Sequence, residues 1–210
     1  MPNDLTLVLS NGGLRSLLAL ACAIDEHGAR QVGIIHVVEQ RPGAVRRSQA
    51  ARRQAEHFGI RRFHETTLGH LKPGSEQPPG VRATLGMSQI LLAAMARAVD
   101  TSAGRLIWPA QVGEDHEVVG RLSEQALAVQ QLAAIEHPES PIIHTPLLEL
   151  TDCELVLLLG QMQLPVELAW SCLGTAARPC RACDGCRRRR RGFEQAGVVD
   201  PINSVDAKAG

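Results

Sequence analysis

Short apolar runs of strand length alternate along this chain with longer segments whose apolar residues recur at helical spacing. That alternation restricts the fold more than any other feature. Leu5 to Leu9 is the first strand-like run, and Leu14 to His27 follows with helical spacing. Gly33 to Val38 (GIIHVV) predicts a second strand, and Val45 to Phe58 a second helix that stops at Gly59. Arg62 to Thr66, Arg105 to Trp108 and Ile142 to Thr145 predict further strands. Ser88 to Val99, Glu117 to Ile135 and Thr151 to Gly160 predict helices, the last opened by the capping box Thr151-Asp152-Cys153-Glu154. The segment LKPGSEQPPG, Leu71 to Gly80, reads as loop. Strands alternating with helices imply βαβ units, hence an α/β fold with a doubly wound, mainly parallel sheet covered on both faces.

Near Pro165 the chain becomes rich in cysteine and arginine, which divides it into an α/β domain, 1–164, and a small C-terminal module, 165–210. Cys172, Cys180, Cys183 and Cys186 are spaced C-x7-C-x2-C-x2-C. The two C-x2-C steps turn successive thiolates toward one point, and the longer gap brings in a fourth, as a tetrahedral zinc site needs. An iron–sulfur cluster is the rival, although the fourth Cys and the Pro that continue the ferredoxin pattern do not follow Cys186. Arg178, Arg181 and the run Arg187 to Arg191 stand beside the cysteines and would offset the charge of four thiolates. The same run alone could suggest RNA. Cys22 and Cys153, isolated in apolar stretches, read as small buried hydrophobes.

Between the first strand and the first helix stands Ser10-Asn11-Gly12-Gly13-Leu14-Arg15-Ser16. The glycines allow a tight turn with backbone N–H groups exposed, the helix start adds partial positive charge, and Ser16 adds a hydroxyl. This is either a phosphate loop or only a strand-to-helix turn. Arg15 stands where a phosphate-and-metal site would more naturally hold a carboxylate.

The bulk numbers limit the classes. The chain of 210 residues is long enough for a substantial core, and 44% apolar with 21% charged residues suits a folded protein. With two Trp, three Phe and no Tyr, that core must be aliphatic. A net charge of zero offers no bulk attraction to nucleic acid or acidic membranes. The longest unbroken apolar run, Leu17 to Ile24, is too short to span a bilayer, and no basic leader opens the chain. A cytoplasmic protein is expected.

Both ends of the chain together resemble one family, the 7-cyano-7-deazaguanine synthases (QueC family) of the N-type ATP pyrophosphatases. NGGLRS occupies the place of that family's S-G-G-x-D-S loop. LTDCELVLLL, LPVELAWSCLG, PCRACDGCRRR and GFEQAGVVDP are similar to its C-terminal segments, and EQRPGAVRRSQAARRQAEHFGI to its Gln-Arg segment and following helix. The resemblance implies an adenine-nucleotide alpha-hydrolase-like fold and an ATP-dependent ligase. In that chemistry a 7-carboxy-7-deazaguanine is adenylated with loss of pyrophosphate, ammonia displaces AMP, and a second activation dehydrates the amide to the nitrile. It further implies that Ser10, Asn11, Gly12, Gly13, Arg15 and Ser16 lie along the ATP phosphates. Cys172, Cys180, Cys183 and Cys186 would hold one structural zinc. ATP with Mg²⁺ and a small deazapurine would be the ligands, with no membrane or nucleic-acid partner, and a homodimer would be compatible.

The chain departs from the pattern at informative places. The family's loop aspartate is Arg15, its first loop serine is Asn11, and the Tyr after Ser-Cys is Leu173. Its Arg-Asn step corresponds at best to Arg82-Ala83. Its Tyr-Pro-Asp-Cys-Arg segment has no counterpart between Gln111 and Arg121, where only Glu114 or Asp115 keeps an acidic position. A carboxylate replaced by a guanidinium reverses the local charge by two units and removes a metal ligand. Two other readings follow: a relative without ATP chemistry that serves as a binding or regulatory protein, and a zinc-module nucleic-acid binder.

Overall fold

The computed structural model describes residues 4–39, 42–68 and 86–204. Its elements are β1 (Thr6–Leu9), α1 (Leu14–His27), β2 (Val32–Glu39), α2 (Ala44–His57), β3 (Arg62–Leu68) and α3 (Gly86–Asp100). Then come β4 (Arg105–Ile107), α4 (His116–Glu136), β5 (Ile142–His144), α5 (Asp152–Gln161), α6 (Asp184–Ala196) and α7 (Pro201–Ser204). The expected strands and helices are all present, with ends shifted by at most two residues. Helix α6, the short α7 and 3₁₀ turns at Ala29–Gln31 and Val166–Leu168 add to them. The loop expected at Leu71 to Gly80 and the Arg82-Ala83 step lie outside the described residues.

The five strands are ordered β3-β2-β1-β4-β5 and every pair is parallel. Side chains alternate between faces along each strand. Val8, Ile34 and Ile107 therefore join α1, α5 and Phe193 of α6 in one core. Leu7, Leu9, Ile35 and Leu106 join α3 and α4 in the other. Helix α1 is apolar almost all round, as a helix packed between a sheet and a second helix must be. Leu17, Leu18 and Leu20 are fully buried there, each worth roughly 1.5–3 kcal/mol relative to exposure.

Cys22 corrects one expectation. It lies on the outer face of α1 and is exposed, while Cys153 is half-buried. Leu17, Leu18, Leu20 and Ala21 already fill the inward positions, so Cys22 is turned toward the acidic end of the helix. Partial desolvation and the nearby Asp25 and Glu26 push its thiol pKa up.

Local stop and start signals act as their chemistry requires. Helix α2 ends with Gly59 at φ 66°, the Gly59 N–H bonded to Glu56 O and the Ile60 N–H to Ala55 O. At α5 the Glu154 N–H donates to Thr151 Oγ1 (3.2 Å) and the Thr151 N–H to Glu154 Oε2 (2.8 Å). The box read from the sequence is closed in both directions.

Strand order reverses between β1 and β4. In open parallel sheets the crevice outside the carboxyl ends of such strands is the usual ligand position. The loops that leave β1 and β4 there are Ser10–Gly13 and Trp108–Gly113.

Candidate functional site

The loop after β1 is held open at the backbone and closed by its own side chains. Gly12 has φ 72°, and a Cβ there would run into the Arg47 carbonyl and lie 2.9 Å from Ala50 Cβ, so only glycine lets the loop sit this close to α2. Three loop N–H groups bond within the loop: Asn11 to Ser16 Oγ (3.0 Å), Gly12 to Ser10 Oγ (3.1 Å) and Gly13 to Asn11 Oδ1 (3.0 Å). Ser16 Oγ in turn donates to Asn11 Oδ1. Asn11, which stands for the family's serine, thus braces the turn. Gly13 caps α1 without a side-chain bond, so the first backbone N–H groups of the helix keep no acceptor of their own.

Two distant segments lock this loop. The Trp170 N–H donates to Gly12 O (2.8 Å), and Gln54 Nε2 donates to the same oxygen (3.2 Å). His36 braces it from β2, with Nδ1 2.7 Å from Ser10 O and Nε2 2.8 Å from Ser48 Oγ. Nδ1 must donate to a carbonyl, which leaves Nε2 to accept from the hydroxyl. Burial pushes the His36 pKa down, opposed in part by that carbonyl bond. A histidine inside the apolar run GIIHVV was a signal available in the sequence.

A cavity of about 260 Å³ opens at the switch point, between Ser10, Asn11, Arg15, His36, Arg47 and Trp108. A second, of about 330 Å³, continues past Arg15 toward Asp152 and Arg188. Arg15 faces both. Desolvation and the like charge of Arg188 bring its pKa down to about 10, partly offset by Asp152, so it remains charged at neutral pH.

Asp152, first residue of α5, gathers three partners. Arg188 Nη2 (2.7 Å) and Arg191 Nη2 (2.5 Å) pair with its two oxygens, and Gln111 Nε2 donates to Oδ1 at 3.2 Å. Arg188 also donates to Gln111 Oε1 (2.8 Å), tying the loop after β4 to α6. Desolvation opposes ionisation of Asp152, but these charged hydrogen bonds outweigh it and hold its carboxyl below the usual range. Arg189 pairs through two nitrogens with Asp200, both bonds 2.8 Å and both side chains buried. Arg187 pairs with Asp184, and Arg190 lies 3.7 Å from Glu194. The arginine run was expected to balance the cysteine thiolates. It instead answers carboxylates, three of its members binding Asp152 and Asp200, because a helix facing α5 presents arginines to the acidic first turn there. Asp115 is taken up as the cap of α4, accepting from the Val118 N–H at 3.1 Å.

The four clustered cysteines converge: their sulfurs all lie within 4.8 Å of one another. Backbone N–H groups point at them, Leu173 to Cys183 Sγ (3.4 Å), Gly174 and Cys180 to Cys172 Sγ (both 3.3 Å), and Cys183 to Cys180 Sγ (3.4 Å). Arg181, inside the first C-x2-C step, has φ 59°, the left-handed turn that folds one sulfur back on the other. Backbone bonds from Cys183 and Ala182 pull the Cys180 thiol down to about 6, whereas burial pushes Cys186 up. This donor set fits a metal ion. Among the described residues no other group of three or more His, Cys, Asp or Glu converges in this way. The cysteine loop also touches the first site, since a Cβ on Gly43, before α2, would lie 2.9 Å from the carbonyls of Leu173 and Gly174.

Comparisons with known proteins agree with this arrangement. Residues 122–197, from α4 through α6, match the family model for the queuosine biosynthesis protein QueC. A 7-cyano-7-deazaguanine synthase of Koribacter versatilis is 27% identical, with 97% of this chain aligned to 94% of that one. The enzyme of the same name from Methanopyrus kandleri is 28% identical over 96% of this chain and 99% of its own. Among solved structures, the U34-tRNA thiolase NcsA from Methanococcus maripaludis, described with its 4Fe–4S cluster, superposes with a TM-score of 0.53 at 13% identity. It covers 97% of this chain and 70% of that one, a likeness of fold. With a parallel sheet of this order, a glycine loop at its switch point and four convergent cysteines, the chain is similar to the QueC family along nearly its whole length.

Proposed function

We propose that this chain binds ATP at the switch-point cavity and converts a 7-carboxy-7-deazaguanine to its nitrile, or carries out a closely related ligation. The observation that supports this best is the loop Ser10–Ser16. It stands where an open parallel sheet binds ligands, turned by Gly12 and followed by the free N–H groups of α1. A carboxylate oxygen attacks the α-phosphorus of ATP and pyrophosphate leaves. Ammonia then attacks the acyl carbon and AMP leaves, giving the amide. A second adenylation, at the amide oxygen, followed by loss of AMP and a proton, gives the nitrile. In this reading Gly12, Gly13 and Ser16 line the departing pyrophosphate, with Ser10 and Asn11 shaping the turn.

Residues 165–210 act as a module closed by one zinc on Cys172, Cys180, Cys183 and Cys186. Zinc–sulfur bonds of about 2.3 Å give a tetrahedron with edges of about 3.8 Å. Sulfurs within 4.8 Å of one another suit that size, while a four-iron cage needs its thiolates spread more widely. The zinc supplies a structural cross-link. Near-stoichiometric zinc in purified protein supports this assignment, and brown protein carrying iron and labile sulfide overturns it.

Arg15 favours a second reading, a family member that binds the ligands without cleaving ATP. The nucleic-acid reading draws no support from the arginine run, whose members answer neighbouring carboxylates. Exchange of labelled pyrophosphate into ATP, dependent on the deazaguanine acid, decides between the first two. Acid-dependent exchange supports the ligase. Its absence at saturating substrate overturns it in favour of binding alone.

A further inference from the structure

Arg15 and Arg47 face the same cavity from α1 and α2, and among the described residues neither side chain makes a hydrogen bond or an ion pair. Every arginine of the α6 run, by contrast, has a carboxylate within reach. Burial and the like charge of Arg188 disfavour the Arg15 guanidinium in the free protein, and Asp152 offsets them only in part. A bound anion relieves both. The lining holds little that would suit a divalent cation. Its carboxylates are Glu39 and, deeper, Asp152 and Asp184, and the last two are occupied by Arg188, Arg191 and Arg187. His36 is saturated by Ser10 and Ser48. The free N–H groups at the start of α1 add donors of the same sense.

We propose that this cavity binds the polyphosphate of its nucleotide directly through Arg15 and Arg47, without a divalent cation. The inference rests on the reading of the cavity as the nucleotide site and adds how the phosphate charge is met there. Each guanidinium offers a planar fork of donors matched to two phosphate oxygens. Arg15 comes from the first turn of α1 and Arg47 from α2, and both line one cavity, so two guanidiniums can share a diphosphate.

The probe is inorganic pyrophosphate, titrated calorimetrically into the full zinc-loaded chain in buffer freed of divalent cations over a chelating resin, then with Mg²⁺ added. Pyrophosphate is expected to bind without Mg²⁺, and added Mg²⁺ to change the affinity by less than about threefold. Loss of one charged hydrogen-bonding group should weaken binding roughly tenfold or more in Arg15→Ala and in Arg47→Ala. Arg15→Asp should abolish metal-free binding and make what remains depend on Mg²⁺. Zinc content and thermal melting check that each variant folds. If Arg15→Ala does not, Arg47→Ala, on a partly exposed helix face, carries the test. Binding only with Mg²⁺, binding unaffected by either variant, or no binding at all overturns the proposal. The outcome is independent of turnover: metal-free binding without ATP exchange defeats the ligase reading alone, and exchange with Mg²⁺-dependent binding defeats this inference alone.

Discussion

The two arginine-bearing regions of this protein solve opposite problems. On α6, Arg188 and Arg191 close on Asp152, and Arg189 closes on Asp200 in a pair sealed from solvent. At the carboxyl ends of the strands, Arg15 and Arg47 line one cavity, and among the described residues neither is hydrogen-bonded or ion-paired to a carboxylate. A guanidinium answered inside the chain adds to the architecture, and one left unanswered in a crevice is a feature only a ligand completes. The difference teaches where to look for function in a sequence with 22 basic and 22 acidic residues. Net charge is uninformative there, and the local imbalance is what matters.

Three experiments break or sharpen that contrast, the largest effect first. Removal of the proposed zinc, or Cys183→Ser, should unfold the paired region outright. A structural zinc contributes on the order of 10 kcal/mol in small zinc modules. Limited proteolysis should then cut between Cys172 and Gly197 while β1 to β5 remain protected. An uncut segment in the metal-free protein would show that the ion pairs hold it unaided.

Asp200→Ala comes next. It strands Arg189, whose side chain is 6% exposed, and loss of one partner of such a pair costs about 3–5 kcal/mol. Urea unfolding should show the loss, and the double variant Arg189→Met, Asp200→Leu should recover much of it. Equal stability of Asp200→Ala and the parent would place this pair among the dispensable ones. Removing Arg15 or Arg47, in contrast, should leave the unfolding midpoint unchanged or raise it, since neither holds a partner.

The smallest effect is a pH dependence. His36 is neutral in its two hydrogen bonds, and its folded pKa lies below its ordinary value because burial disfavours the charge. A group depressed on folding contributes stability that is full above its unfolded pKa, about 6.5, and is lost as pH falls through the folded value. Stability should therefore decline below pH 6.5, and His36→Asn should flatten that slope. A slope unchanged by the substitution would assign it to other groups.

The alternating periodicity made all five strands and five of the seven helices legible, because strand and helix patterns differ locally and each stop, such as Gly59 or Thr151, is a local signal. The convergence of the four cysteines was equally legible, since Cys180, Cys183 and Cys186 lie close together in the sequence. The site around Arg15 was legible only in part. Gly12, Asn11 and Ser16 announced a loop, but Arg47, Gln111, Asp152 and Trp170 come from four other segments, and their convergence is a product of strand order. Asp152 was read as part of a cap, and its bond to α6 had no sequence signal, since pairing across α5 and α6 depends on Gly192. A Cβ at Gly192 would stand 2.6 Å from the Asp152 carbonyl oxygen, so that glycine sets how near the helices come. Cys22 was misplaced because an apolar run does not reveal which of its residues faces outward.

The bond from the Trp170 N–H to Gly12 O carries a consequence for how the protein is made. A chain that leaves the ribosome N-terminus first releases its glycine loop well before the residue that fastens it. During that interval β1 and α1 can pack while Gly12 O still awaits its late partner, and the crevice is finished only when the cysteine segment arrives. Ordering of the cysteine segment therefore reaches back to a turn built much earlier, and a chain made only as far as α5 leaves the crevice unfinished.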